Sequence, residues 1–119
     1  MESARSFEDL MAWQKAHALV LEIYKITQSF PSSETYGLTS QIRRAAVSIA
    51  SNIAEGFNRF SPTEKIRFYN IAEASAEEVR YQLLLAHDLQ FADTSHLQEQ
   101  ATEAKRLIIG LIKSIRARS

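Results

Sequence analysis

Apolar residues recur at intervals of three and four along almost the whole chain, and no run alternates with period two for long enough to make a strand. That pattern excludes a sheet and leaves amphipathic helices, in four segments separated by three short breaks. The expected helices are 7–29, 38–55, 62–89 and 95–117. The first carries Leu10, Trp13, Ala16, Val20, Ile23, Tyr24 and Phe30. Ser6 is its candidate cap, Glu8 and Asp9 suit its positive end, and Pro31 stops it. The second opens loosely through Glu34-Thr35-Tyr36 and is expected to stop at Gly56. The third has the clearest start, because Ser61, Pro62 and Glu64 spell a capping box with proline at the first helical position. Asp93, Thr94 or Ser95 is available to cap the fourth, whose apolar row is Leu97, Ala101, Ala104, Ile108, Leu111, Ile112 and Ile115. Helices of about 20 residues are each about 30 Å long. Joined by such short connections, they are expected to form one all-α domain over 1–119, an up-down-up-down antiparallel four-helix bundle.

Composition narrows the function classes. Hydrophobic residues make up 45 % of the chain, enough for a packed core and too many for disorder. Its 14 basic and 14 acidic residues cancel, which argues against the strongly basic surface of a dedicated nucleic-acid binder. There is no cysteine, so disulfides, thiolate nucleophiles and Cys-based metal sites are excluded. The apolar stretch Leu10 to Ile26 is interrupted by Gln14, Lys15, His17, Glu22 and Lys25, and nothing reads as a signal or membrane-spanning segment. A cytoplasmic protein with no membrane association is expected. No Glu-x-x-His pair of a di-iron bundle occurs, and His17, His87 and His96 lie on separate elements. Without a phosphate loop or nucleophile elbow either, no catalytic residue, metal or cofactor is expected.

Two groups of polar residues stand out. Arg44, Ser48 and Asn52 are spaced by four and Glu55 follows by three, so they share one helix face, flanked by Ile42, Ile49 and Ile53. With Arg67, Ser75 and Glu78 available on helix three, they read as a polar ladder fixing the register of two helices. The alternative is a small anion or nucleotide-phosphate pocket using Arg43, Arg44 or Arg59. The second group is the basic end of helix four, Lys105, Arg106, Lys113, Arg116 and Arg118, with no acid after Glu103. A solvated face is the plain reading, and sequence-independent phosphate contact with RNA or DNA is the alternative. Trp13, Phe30, Phe57, Phe60 and Tyr69 are expected in core or interface packing. Leu107-Ile108-Ile109 with Leu111-Ile112, and Leu19-Val20-Leu21 with Ile23, spread apolar surface wider than one groove needs. Burial between subunits accounts for that surplus, with a generous core seam as the alternative.

Phe7-Glu8-Asp9-Leu10, Trp13-Gln14-Lys15-Ala16, Tyr24, Phe30-Pro31 and Glu34-Thr35-Tyr36-Gly37-Leu38 follow one another in a family pattern. Ser40-Gln41-Ile42-Arg43-Arg44-Ala45-Ala46, Ser48 through Gly56, Arg59, Arg67-Phe68 and Ile71-Ala72 continue it. Over essentially its whole length the chain resembles the four-helix-bundle proteins called 23S rRNA intervening-sequence, or S23-like, proteins. It is more distantly similar to the accessory proteins of diversity-generating retroelements, which bind nucleic acid and a reverse transcriptase. The resemblance implies a homopentamer with an unidentified partner. It implies no reaction, since the family name records where some of the genes lie.

Overall fold

The computed structural model describes residues 3–118, so residues 1, 2 and 119 of the expected 1–119 domain lie outside it. Four α-helices fill it: α1 (Met11–Ile26), α2 (Leu38–Phe57), α3 (Pro62–Asp88) and α4 (Ser95–Arg118). Consecutive helices pack side by side and α4 returns against α1, which gives a four-helix bundle of 47 × 24 × 20 Å. The sides formed by α1–α2 and by α3–α4 therefore face in opposite directions.

The ends of the helices show how local chemistry sets them. The first expected helix is shorter and flanked by 3-10 turns at Phe7–Asp9 and Thr27–Ser29. Leu10 is extended (φ −78°, ψ 128°), so the helix proper begins after it. Ser6 sits at the N-cap of the first of these turns, in a capping box with Asp9, whose carboxylate accepts the backbone N–H groups of Arg5 (2.9 Å) and Ser6 (3.4 Å). At the far end the Thr27 hydroxyl donates to the Ile23 carbonyl (2.6 Å) and tightens the last turn. Helix α2 does not stop at Gly56 but runs through Phe57, and Gly56 is a packing residue inside it. A Cβ there would lie 2.7 and 2.9 Å from the Tyr69 ring, so its absence lets α2 and α3 approach closely. Ser61 caps α3 as expected, accepting the Glu64 N–H at 3.1 Å. That helix ends at Asp88, and Gln90 two residues on is the one described non-glycine residue with a left-handed backbone (φ 64°). The Phe91 N–H turns back to the Ala86 carbonyl (2.9 Å), satisfying a terminal acceptor.

Leu19, Ile23, Ile42, Ile49, Ile53, Val79, Leu83 and Ile108 are fully buried at the centre. Each such aliphatic side chain contributes about 1.5–3 kcal/mol of burial. Alanines 12, 16, 46, 72, 76, 101 and 104 fill the facing positions and keep the helices close. Phe30, Leu38 and Ala86 form a second small cluster under Phe91 that joins the α1–α2 and α3–α4 connections. The expected surplus of apolar surface on α4 is absorbed within the chain. Leu107, Ile109 and Leu111 are half-buried, and no large apolar residue of α4 is exposed. The cause is that α4 packs against both α1 and α3, which covers a wide arc of its cylinder. The exposed apolar residues sit on the other three helices and their connections. Phe60, expected in packing, is fully exposed in the α2–α3 turn.

Candidate functional site

The polar seam between α2 and α3 is built on two serines at the edge of the apolar core. The hydroxyls of Ser48 and Ser75 share a hydrogen bond of 2.9 Å, and Asn52 donates to both the Ser48 hydroxyl (3.0 Å) and its carbonyl (2.8 Å). The i to i+4 spacing puts Asn52 one turn above Ser48, where its amide reaches both acceptors. Arg44, Ser48, Ser75 and Glu78 line a groove of about 360 Å³ above this pair. Arg44 is exposed and has no hydrogen bond or ion pair among the described residues. Glu78 accepts from the Gln82 amide (3.3 Å), whose own carbonyl oxygen is buried without a partner.

Two residues of the expected ladder stand apart from the seam. Glu55 binds Arg59 (3.1 Å) and Arg67 binds Glu64 (3.6 Å), each along its own helix surface. Both side chains are more than half exposed, and a partner one turn away is nearer than any across the interface. The buried content of the arrangement is hydroxyl and amide rather than charge.

The candidate anion contacts divide in the same way. Arg43 is spent on the fold: it donates to the Thr27 hydroxyl (2.8 Å) and the Tyr24 carbonyl (3.3 Å), and lies 4.7 Å over the Tyr24 ring. It thus pins α2 to the end of α1. Lys105 is bound to Glu77, which also accepts from Arg80 (2.7 Å). These two cations hold the Glu77 carboxyl below its ordinary value of 4.5, with the Lys105 hydrogen bond the larger cause. Arg106 binds Glu103, and Arg59 is covered by Glu55 and the Phe68 ring. Lys113 and Arg116 remain exposed with no ion pair among the described residues, and Arg118 reaches only the Ser114 carbonyl (3.3 Å).

These last cations share one end of the bundle with the α2–α3 turn. There Lys65 donates to the Phe57 carbonyl (2.7 Å) and closes the C-terminus of α2. Burial, and then the charge of Arg118, lower the Lys65 pKa from 10.5. Burial raises the Tyr69 phenol beside them, partly offset by Arg118. Lys65 and the exposed Phe60 are additions to the candidate contacts. Lys65 was legible only as the fourth residue of a helix, and the exposure of Phe60 has no sequence signal, since an aromatic beside a turn is more often packed.

Among the described residues no group of three or more His, Asp or Glu could hold a metal ion. A groove of about 740 Å³ on the α3–α4 side has Arg80, Gln98, Thr102, Glu103 and Arg106 in its lining. Both of its arginines are already paired with glutamates of their own helices. No described helix is long and apolar enough to cross a membrane.

Comparison with known proteins agrees with this geometry. The family model described as 23S rRNA-intervening sequence protein matches residues 8–113. A protein of unknown function from the S23 ribosomal protein family of Bacteroides thetaiotaomicron is similar in structure, with a TM-score of 0.79 at 24 % identity. The alignment covers 86 % of this chain and 95 % of that one, and it bears on the fold alone. No curated protein matches the chain.

Proposed function

The chain belongs to the 23S rRNA-intervening sequence protein family, and on that premise we propose that it is a non-catalytic, self-associating helical scaffold of the cytoplasm. Five copies is the number that the family resemblance implies. The observation that carries this reading is the exposed apolar surface left after the core has closed. Leu21 and Tyr24 on α1, Val47 on α2, and Ile71, Tyr81 and Leu84 on α3 are each 40 % exposed or more. They lie on three successive helices, whereas α4 presents none, and a contact with another macromolecule would cover them. Light scattering on the purified protein is expected to return a multiple of the 13.5 kDa protomer mass. A monomer at every concentration tested would overturn the proposal.

A second reading is favoured by the basic end. Lys113, Arg116 and Arg118 lack carboxylate partners among the described residues, and Lys65 and Arg67 lie at the same end as the exposed ring of Phe60. Repeated around an oligomer, this end supplies cations for phosphates and rings for stacking, the role that resemblance to retroelement accessory proteins implies. Titration with an RNA or DNA oligonucleotide should then show affinity that falls with salt and weakens in Arg116→Gln/Arg118→Gln. Absence of binding at low salt removes this reading.

A further inference from the structure

Two surfaces of the bundle complement each other in charge. On the α1–α2 side, Tyr24, Tyr36, Thr39, Arg43, Arg44 and Val47 line a groove of about 510 Å³ that contains no acidic residue. Tyr36 is 96 % exposed at its mouth, and Arg44 offers a guanidinium with no partner among the described residues. The outer surface of α3 presents Glu73, Ala74, Glu77, Glu78 and Tyr81 around a hollow of about 670 Å³, with Lys105 as its one basic lining residue. Glu73 likewise has no hydrogen bond or ion pair among the described residues, and Ile71 and Tyr81 are exposed on the same helix.

We infer that copies of this chain join through a heterologous contact, in which the α1–α2 groove of one copy receives the outer face of α3 from the next. The inference rests on the scaffold reading and specifies its interface. The formal charge of the whole chain is zero, so copies do not repel through net charge and local pattern chooses the surfaces. Arginine forks bind carboxylates with two parallel hydrogen bonds, and tyrosine and arginine are the residue types that dominate binding energy at interfaces. Because the α1–α2 side and the outer face of α3 belong to different parts of one copy, the contact is not self-complementary. Each copy then has one groove and one ridge to offer, and the rule propagates into a ring when its rotation closes.

The test uses two variants of the full chain, a groove variant (Arg44→Glu with Tyr36→Ala) and a ridge variant (Glu73→Arg with Tyr81→Ala). Circular dichroism verifies helicity; if either double variant loses it, Arg44→Glu and Glu73→Arg alone take their place. By light scattering, each variant is expected at the 13.5 kDa mass of one chain. An equimolar mixture is expected at twice that mass, since each variant supplies the surface that the other lacks. If the unmodified protein assembles and the variants keep its mass, the interface assignment is wrong and the scaffold reading stands. If the variants are monomeric and the mixture stays so, the contact is not heterologous. A monomeric unmodified protein overturns the interface and the scaffold reading together.

Discussion

Replacing Gly56 by alanine should destabilise the bundle, and replacing Gly110 by alanine should stabilise it. Both glycines lie inside helices, and neither has a positive φ, so alanine is conformationally acceptable at both. A glycine in a helix interior costs about 1 kcal/mol relative to alanine, which sets the ceiling on the gain at either site. At Gly110 a new Cβ meets nothing within 4 Å, so the gain is unopposed. At Gly56 the same atom would sit 2.7 Å from Tyr69 Cε1, 2.9 Å from Tyr69 Cδ1 and 3.2 Å from Phe68 Cβ. Tyr69 is only 2 % exposed, so its ring has no room to swing away, and Phe68 Cβ is tied to the backbone of α3. Overpacking of this kind costs about 1–3 kcal/mol, and with a fixed ring and a backbone-linked atom as obstacles the upper half of that range applies. Set against a gain of at most about 1 kcal/mol, the net loss is about 1–2 kcal/mol.

Urea denaturation followed by far-ultraviolet circular dichroism reads both effects. The midpoint should fall for Gly56→Ala and rise for Gly110→Ala, with the slope unchanged in each. The corresponding fall in Tm for Gly56→Ala is about 4–8 °C. A Gly56→Ala protein as stable as the parent would refute the claim that α2 and α3 meet over this residue. A destabilised Gly110→Ala would refute the claim that the outer surface of α4 is open there.

Three further outcomes follow from single contacts. In a double-mutant cycle of Ser48→Ala and Ser75→Ala, the hydroxyl pair should show a coupling of about 0.5–1.5 kcal/mol, measured by denaturant unfolding; zero coupling would mean that the 2.9 Å bond does not link the helices. Thr94→Val removes a wholly buried hydroxyl that donates to the Leu83 carbonyl and accepts from Gln98, and should cost about 1–3 kcal/mol in the same assay. The third concerns Glu77, whose carboxyl titrates below 4.5 in the folded chain: its contribution is present above that value and is lost as pH falls through the lower folded pKa. Carboxyl chemical shifts should therefore place its midpoint below 4.5 in the parent, and Lys105→Met should move it upward because the larger of its two hydrogen-bonding partners is gone.

Much of the bundle was legible because it depends on neighbours in sequence. The three-and-four spacing located four helices, and Ser61-Pro62 marked the start of α3 through a bond between residues three apart. The candidate site was less legible. Ser48 and Asn52 meet because they are one helical turn apart, but Ser75 joins them across 27 positions, and only packing decides which serine of α3 lies opposite. Arg43 looked as free as Arg44, since adjacent residues of one type carry no mark of direction. A rotation of about 100° along the helix turns the first onto Thr27 and Tyr24 and leaves the second exposed. Gly56 read as a helix stop because glycine commonly follows a helix, whereas here it serves close packing.

The amino-acid sequence by itself determined the secondary structure, the bundle class, the family and the absence of cysteine chemistry. Helix periodicity, caps and composition are properties of short windows, so they survive without knowledge of the fold. Tertiary structure alone decided which charges remain available and which apolar residues stay uncovered. Availability is a difference between what a side chain could bind and what its neighbours in space already supply. Lys105, Arg106 and Arg43 are neutralised or bonded within the chain, and α4 hides its surplus apolar face. Arg44 and Glu73 make no hydrogen bond or ion pair among the described residues, and Tyr36 and Tyr81 stay exposed.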